Sequence, residues 1–241
     1  MTSIVVSQPM YFPWVGFFEQ IQLSDIFVCF DNVQFSKGFV NRVQCKTPSG
    51  FSWLTIPLVK HPRSTLICDL QISENNDWRK KHIAIIENFL GNTKFKNDAI
   101  EIVEKVIYTS AAFSDMLMEG IKTVTDYFEI DSGVTQFHRS SELDVTGKKS
   151  ELVKNIASYF NADTYITGLG ALNYLDHESL EKNGIETRYM KYERLVYPQK
   201  YGKFNPYISI LDLIANCGKD GRKFICSGTV NWKNINREIY G

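Results

Sequence analysis

Polar side chains stand where apolar runs end: Gln8 follows Ile4-Val5-Val6-Ser7, Asp31 follows Ile26-Phe27-Val28-Cys29-Phe30, and Gln34 comes shortly after. A carboxylate in such a place can accept a proton, and amides can fix the orientation of hydroxyls or other amides. Lys37, Asn41 and Arg42 follow closely. No acidic residue falls between Asp31 and Asp69, whereas Lys37, Arg42, Lys46, Lys60 and Arg63 all do. That leaves positive potential suited to a phosphate or carboxylate, with a solvated basic face as the plainer alternative. A later run, Arg188, Lys191, Arg194, Lys200 and Lys203, is interleaved with Tyr189, Tyr192, Tyr197 and Tyr201. It suits a small phosphorylated ligand, or simply a half-buried strand and its loop.

These residues need elements to position them. Trp14, Phe17, Phe18 and Ile21 keep helical spacing behind Pro13, so Ser3 to Asp31 reads as a strand, helix and strand unit. Ser52 to Val59 and Leu66 to Ile72 read as strands joined by a turn at His61-Pro62-Arg63-Ser64. Asp77 is expected to cap a helix over Trp78 to Leu90, with His82, Ile86, Phe89 and Leu90 on one face. On that face His82 is either a base beside Lys81 or a hydrogen-bonded core residue. Two more helices are marked by Ile100 to Ile107 and by Phe113 to Phe128. Strands are expected over Val134 to His138, Thr164 to Thr167 and Ile185 to Tyr192, with a helix over Glu151 to Phe160. The reading is an α/β chain with a mostly parallel, Rossmann-like sheet and a helical insertion near 77–130. In open sheets of this kind ligands bind beyond the carboxyl ends of the strands, so Gln8, Asp31 and Gln34 are expected to face one crevice.

Composition sets further bounds. With 241 residues, 44% of them hydrophobic, the chain can fill one core, and we read residues 1–241 as a single domain. The 27 basic residues balance the 27 acidic ones, which argues against nucleic acid as a partner. Five cysteines with no zinc-ligand spacing read as reduced, mostly buried thiols, and no metal is expected. No apolar run approaches the ~20 residues that cross a bilayer, and no secretory leader is evident. A cytoplasmic protein without membrane insertion is expected.

The run Gln8-Pro9-Met10-Tyr11-Phe12-Pro13-Trp14-Val15-Gly16-Phe17-Phe18, with Asp31-x-x-Gln34-Phe35-x-Lys37 and Asn41-Arg42, resembles the WbqC-like protein family. Matching pieces recur along the chain: Trp53 to Pro57, Trp78-x-x-Lys81-His82, Ser140 to Leu143, Tyr165 to Gly168, Tyr197-Pro198-Gln199, Ser209 to Leu213 and Asn216-x-Gly218. The resemblance implies a place in bacterial surface-polysaccharide and O-antigen gene clusters. It further implies a transferase that attaches an acyl or aminoacyl group to the amine of a nucleotide-linked amino sugar. The alternative is an accessory protein that binds the nucleotide sugar or a pathway enzyme without catalysing a reaction. The opening is also similar to that of pantothenate synthetase, an adenylate-forming amide ligase with a nucleotidyltransferase-like fold, but Phe12 to Phe17 contains no histidine.

Under that reading Asp31 or His82 takes the amine proton, and Lys37, Arg42 and Lys81 hold phosphate or oxyanion charge. Gln8, Gln34 and Asn41 orient polar groups, while Tyr11 and Trp14 stack on a sugar or base. Ser141 and Gln199 join the substrate-binding set. The sequence leaves the co-substrate open between ATP and an activated acyl donor, and a second copy or a pathway enzyme is the expected protein partner. Gly147-Lys148-Lys149-Ser150 lacks the upstream glycine of a P-loop, although it can open a helix and present amides to an anion. Gly168-Leu169-Gly170 falls short of a dinucleotide fingerprint.

Overall fold

A computed structural model describes residues 1–109, 112–130 and 135–235. In chain order the strands are β1 (Ser3–Ser7), β2 (Ile26–Cys29), β3 (Arg42–Thr47), β4 (Gly50–Thr55), β5 (Gln136–Arg139), β6 (Thr164–Thr167), β7 (Glu186–Met190) and β8 (Thr229–Asn231). The α-helices are α1 (Val15–Gln22), α2 (Trp78–Leu90), α3 (Lys96–Thr109), α4 (Phe113–Phe128), α5 (Ser150–Tyr159), α6 (His177–Lys182) and α7 (Ile210–Cys217).

The main sheet has the order β5-β2-β1-β6-β7-β8. Its pairings are parallel except at β8, which runs antiparallel to β7. The strands at its centre are apolar along their length because both faces are covered. Val5 and Phe27 enter a core with α1, α3, α4 and α7, whereas Ile4, Val6, Ile26 and Val28 enter a second core with α5 and α6. The result is the mostly parallel, Rossmann-like α/β arrangement that the apolar pattern implies, and α2, α3 and α4 form the helical insertion.

Details differ. The hairpin is β3 paired with β4, with Pro48-Ser49 at its turn and Gly50 at φ +130, while the stretches 52–59 and 66–72 meet only in a short antiparallel contact around Leu58 and Ile72. The stretch Leu66 to Ile72 instead holds a 3-10 turn at Ile67–Asp69 and touches its neighbours through the isolated bridges Gln34↔Leu66 and Leu58↔Ile72. Residues 42–47 carry the period-2 alternation of a strand, with Val43 and Cys45 set between Arg42, Gln44 and Lys46, a signal that the sequence reading passed over. Asp77 precedes α2 in a left-handed conformation (φ 46), and its side chain makes no cap hydrogen bond. The strand start expected at Val134 lies outside the described residues; β5 begins at Gln136. Of the cysteines, Cys29 and Cys45 are buried, Cys68 and Cys217 half-buried and Cys226 exposed, all as free thiols. Among the described residues no helix is long and apolar enough to cross a membrane.

Candidate functional site

From β1 the chain moves outward through β2 to β5, then returns to place β6 on the other flank of β1. Helix α1, which follows β1, packs in one core, while α6, which follows β6, packs in the other. The connections leaving these adjacent strands therefore part to opposite faces, which opens a crevice at the topological switch point.

A cavity of about 640 Å³ occupies that place. Val6, Met10, Phe17 and Val33 give it an apolar floor, and Ser7, Gln8, Gln20, Thr167 and Lys149 supply polar groups. Trp14 and Tyr192 form an aromatic wall, with ring centroids 4.9 Å apart. Both rings depend on glycines. A Cβ at Gly16 would lie 2.2 Å from the Trp14 ring, and one at Gly168 would lie 2.8 Å from the Tyr192 hydroxyl. The Tyr192 hydroxyl accepts a hydrogen bond from Gln20 Nε2 at 3.1 Å. Burial pushes the Tyr192 phenol well above its ordinary pKa, so it stays protonated.

The backbone is unusual at the same place. Phe12, Lys149 and Tyr192 have φ of 42, 51 and 48, a left-handed conformation costly for side chains of this size. Contacts from elsewhere hold the first of these turns. Ser209 Oγ donates to Phe12 O at 3.0 Å, and Ile210 N donates to Pro13 O at 2.9 Å. Strain maintained around a cavity is a common property of ligand sites. Lys149 stands directly before α5. Its ammonium and the partial positive charge of the helix start make that end of the cleft electropositive.

Gln8 and Trp14 therefore lie on the cleft, while the other sequence candidates lie elsewhere. Asp31 is fully buried. Its carboxylate accepts from Ser114 Oγ (2.9 Å), Ser140 Oγ (3.2 Å), Ser141 N (3.0 Å) and Ser141 Oγ (2.9 Å), and Arg139 Nη1 is 3.9 Å away. It joins the end of β2 to the starts of α4 and of the turn after β5 and does not face Gln8. This corrects the expectation of one crevice shared by Gln8, Asp31 and Gln34. Gln34 is exposed and donates to Arg63 O at 2.9 Å. The reason is strand order: β2 lies between β5 and β1, away from the switch point.

His82 is 5% exposed, with Nε2 3.1 Å from Thr55 O and Nδ1 3.2 Å from the Tyr11 hydroxyl. The carbonyl must accept, so Nε2 carries the proton and Nδ1 accepts from Tyr11. Burial pushes the imidazole pKa down to about 4. His82 and Tyr11 thus form a neutral interior pair, the core alternative for this histidine. Asn41 is buried and donates to Ile56 O at 3.2 Å. Arg42 lies over the Trp53 ring at 4.2 Å, and Lys37, Lys81 and Ser141 are exposed away from the cleft. Gln199 accepts from Lys46 Nζ at 2.7 Å.

Sequence reading did not assign Lys149, Tyr192, Gln20 or the two glycines to the site. Signals existed for two of these, since Lys149 lies in the Gly-Lys-Lys-Ser run and Tyr192 in the aromatic, basic stretch.

A strand reversal between β1 and β6, with a cleft at their carboxyl ends, defines a Rossmann-like α/β protein. The chain belongs to the WbqC-like protein family, whose model matches residues 8–224. It is also 26% identical over 231 residues to the uncharacterized protein Rv1507c of Mycobacterium tuberculosis, covering 93% of this chain and 98% of that relative.

Proposed function

We propose that the protein is a transferase of surface-polysaccharide biosynthesis that holds a nucleotide-linked amino sugar in the cleft and acylates or aminoacylates its amine. The observation that carries this reading is the cavity at the switch point, which combines an aromatic wall, an amide at Gln8 and a cation at a helix start. A ring can stack on Trp14 and Tyr192, Gln8 can bind a sugar hydroxyl, and Lys149 with the α5 amides can hold phosphate or oxyanion charge.

In this reaction the amine lone pair attacks the carbonyl of an acyl phosphate or thioester. The C–N bond forms, and the bond to phosphate or sulfur breaks with its electron pair going to that group. The amine proton passes to the leaving group or to water. A sugar amine titrates close enough to neutrality for a useful fraction to be unprotonated, so orientation and oxyanion stabilisation can carry the step.

Thermal-shift screening against uridine-, thymidine- and guanosine-linked amino sugars tests the binding half. Lys149→Ala should weaken a binding sugar nucleotide about 10- to 100-fold, the loss expected for a charged hydrogen bond. Mass spectrometry with an acyl donor present tests the chemistry through formation of an amide product. Absence of binding by every nucleotide sugar would reject the proposal. A second reading, a nucleotide-sugar-binding accessory protein, is favoured by the cleft lining, which holds no carboxylate or imidazole among the described residues. Saturable binding without amide product under any donor would select it.

A further inference from the structure

A second opening lies beyond Trp14. Tyr192 meets that ring on the cleft, and Tyr207 meets it with centroids 5.3 Å apart. Tyr207 lines a separate cavity of about 390 Å³, bounded by the turn of the β3–β4 hairpin and by residues 201–207. The cavity is lined by the rings of Phe51 and Tyr201 and by two cations, Lys46 and Lys203, with no carboxylate among its described walls.

Lys46 is the unusual member, a lysine only 5% exposed. Its ammonium donates to Gln199 Oε1 and Lys203 O, both at 2.7 Å. These acceptors are uncharged, and an ammonium has a third proton to give. The Asp212 carboxylate acts on this cation from outside the cavity's walls, and on the cavity side, where the described lining holds no acid, the ammonium favours a bound anion. The flanking rings favour a planar group beside it.

We propose that this second cavity binds an organic phosphate bearing a planar ring, with phosphate toward Lys46 and Lys203 and the ring against Phe51 and Tyr201. Its role as the activated acyl donor rests on the transfer reading above, whereas its binding does not. In that role the acyl carbon bonds to the sugar amine as its C–O bond to phosphate breaks, and the phosphate leaves with the electron pair. For that step the acyl end of the donor must extend past the Trp14–Tyr207 pair to meet the amine in the main cleft.

Adenosine diphosphate is the probe, titrated calorimetrically into the full chain. In the Lys149→Ala protein one saturable binding event should persist, and Lys203→Ala and Tyr201→Ala should each weaken that event about tenfold. Lys203 holds Lys46 through its backbone carbonyl, so losing its side chain leaves that contact in place. Loss of all adenosine diphosphate binding in Lys149→Ala, or no saturable event in the wild type, would overturn the proposal. Nucleotide-sugar binding in the Lys203→Ala protein separates the two sites: its retention leaves the main cleft standing whatever the second cavity does.

Discussion

Asp31 receives four hydrogen bonds from Ser114, Ser140 and Ser141 while fully buried, so its carboxylate is a joint between elements. Asp31→Asn replaces one acceptor oxygen with an amino group that faces donors. It should cost about 3 kcal/mol in urea denaturation, the scale for breaking a buried charged network. Retained stability with abolished turnover would instead give Asp31 a part in the chemistry. Gly16→Ala should displace the Trp14 ring, because the new methyl would lie 2.2 Å from it. A change in tryptophan fluorescence with about tenfold weaker sugar-nucleotide binding is expected, at a stability cost of about 1–3 kcal/mol for overpacking. His82 should remain neutral to about pH 5 by NMR, because burial disfavours its charged form.

Helix α1 brings Trp14 to the cleft and also buries Glu19, which is 2% exposed and has Oε2 without a hydrogen-bond partner. Burial pushes its carboxyl from the usual 4.5 up to about 7. Between those values the folded protein keeps a proton that the unfolded chain has released. Stability contributed by this group is therefore present in acid and lost as pH rises through about 7. Glu19→Gln should remove that slope and stabilise the protein by about 3 kcal/mol above neutrality, read as the pH dependence of the urea midpoint. Asp212 on α7, pushed up to about 6 by burial, adds a slope of the same sign. The segment after β7 is held differently, through the Lys46 bonds to Gln199 and Lys203. Lys46→Met should speed limited proteolysis within residues 191–207, since both anchors on that segment lose their donor.

For the molecule as a whole, a ligand bound in the switch-point cleft stabilises the native state by mass action. A sugar nucleotide at 100 times its Kd should add about 2.7 kcal/mol and raise Tm. Lys149→Ala should cut that gain to about 0.4–1.4 kcal/mol at the same ligand concentration without lowering the unliganded Tm, because Lys149 is exposed and makes no ion pair among the described residues. Much of this architecture was legible along the chain. Continuous apolar runs marked β1 and β2, alternation marked β6, helical spacing marked α1, α2 and α4, and the motif from Gln8 to Phe18 marked the family and one wall of the site. Such signals are local, and they carry the period of an element and its ends. They do not carry strand order, which depends on which apolar faces cover one another after the chain has closed. That is why Asp31, near Gln8 in the sequence-based reading of strand ends, turned inward, while Lys149 and Tyr192 arrived beside Gln8 from far along the chain. Residue types and local conformation were determined by the sequence alone; the meeting of β1 with β6, and with it the position of the cleft, was decided by tertiary packing.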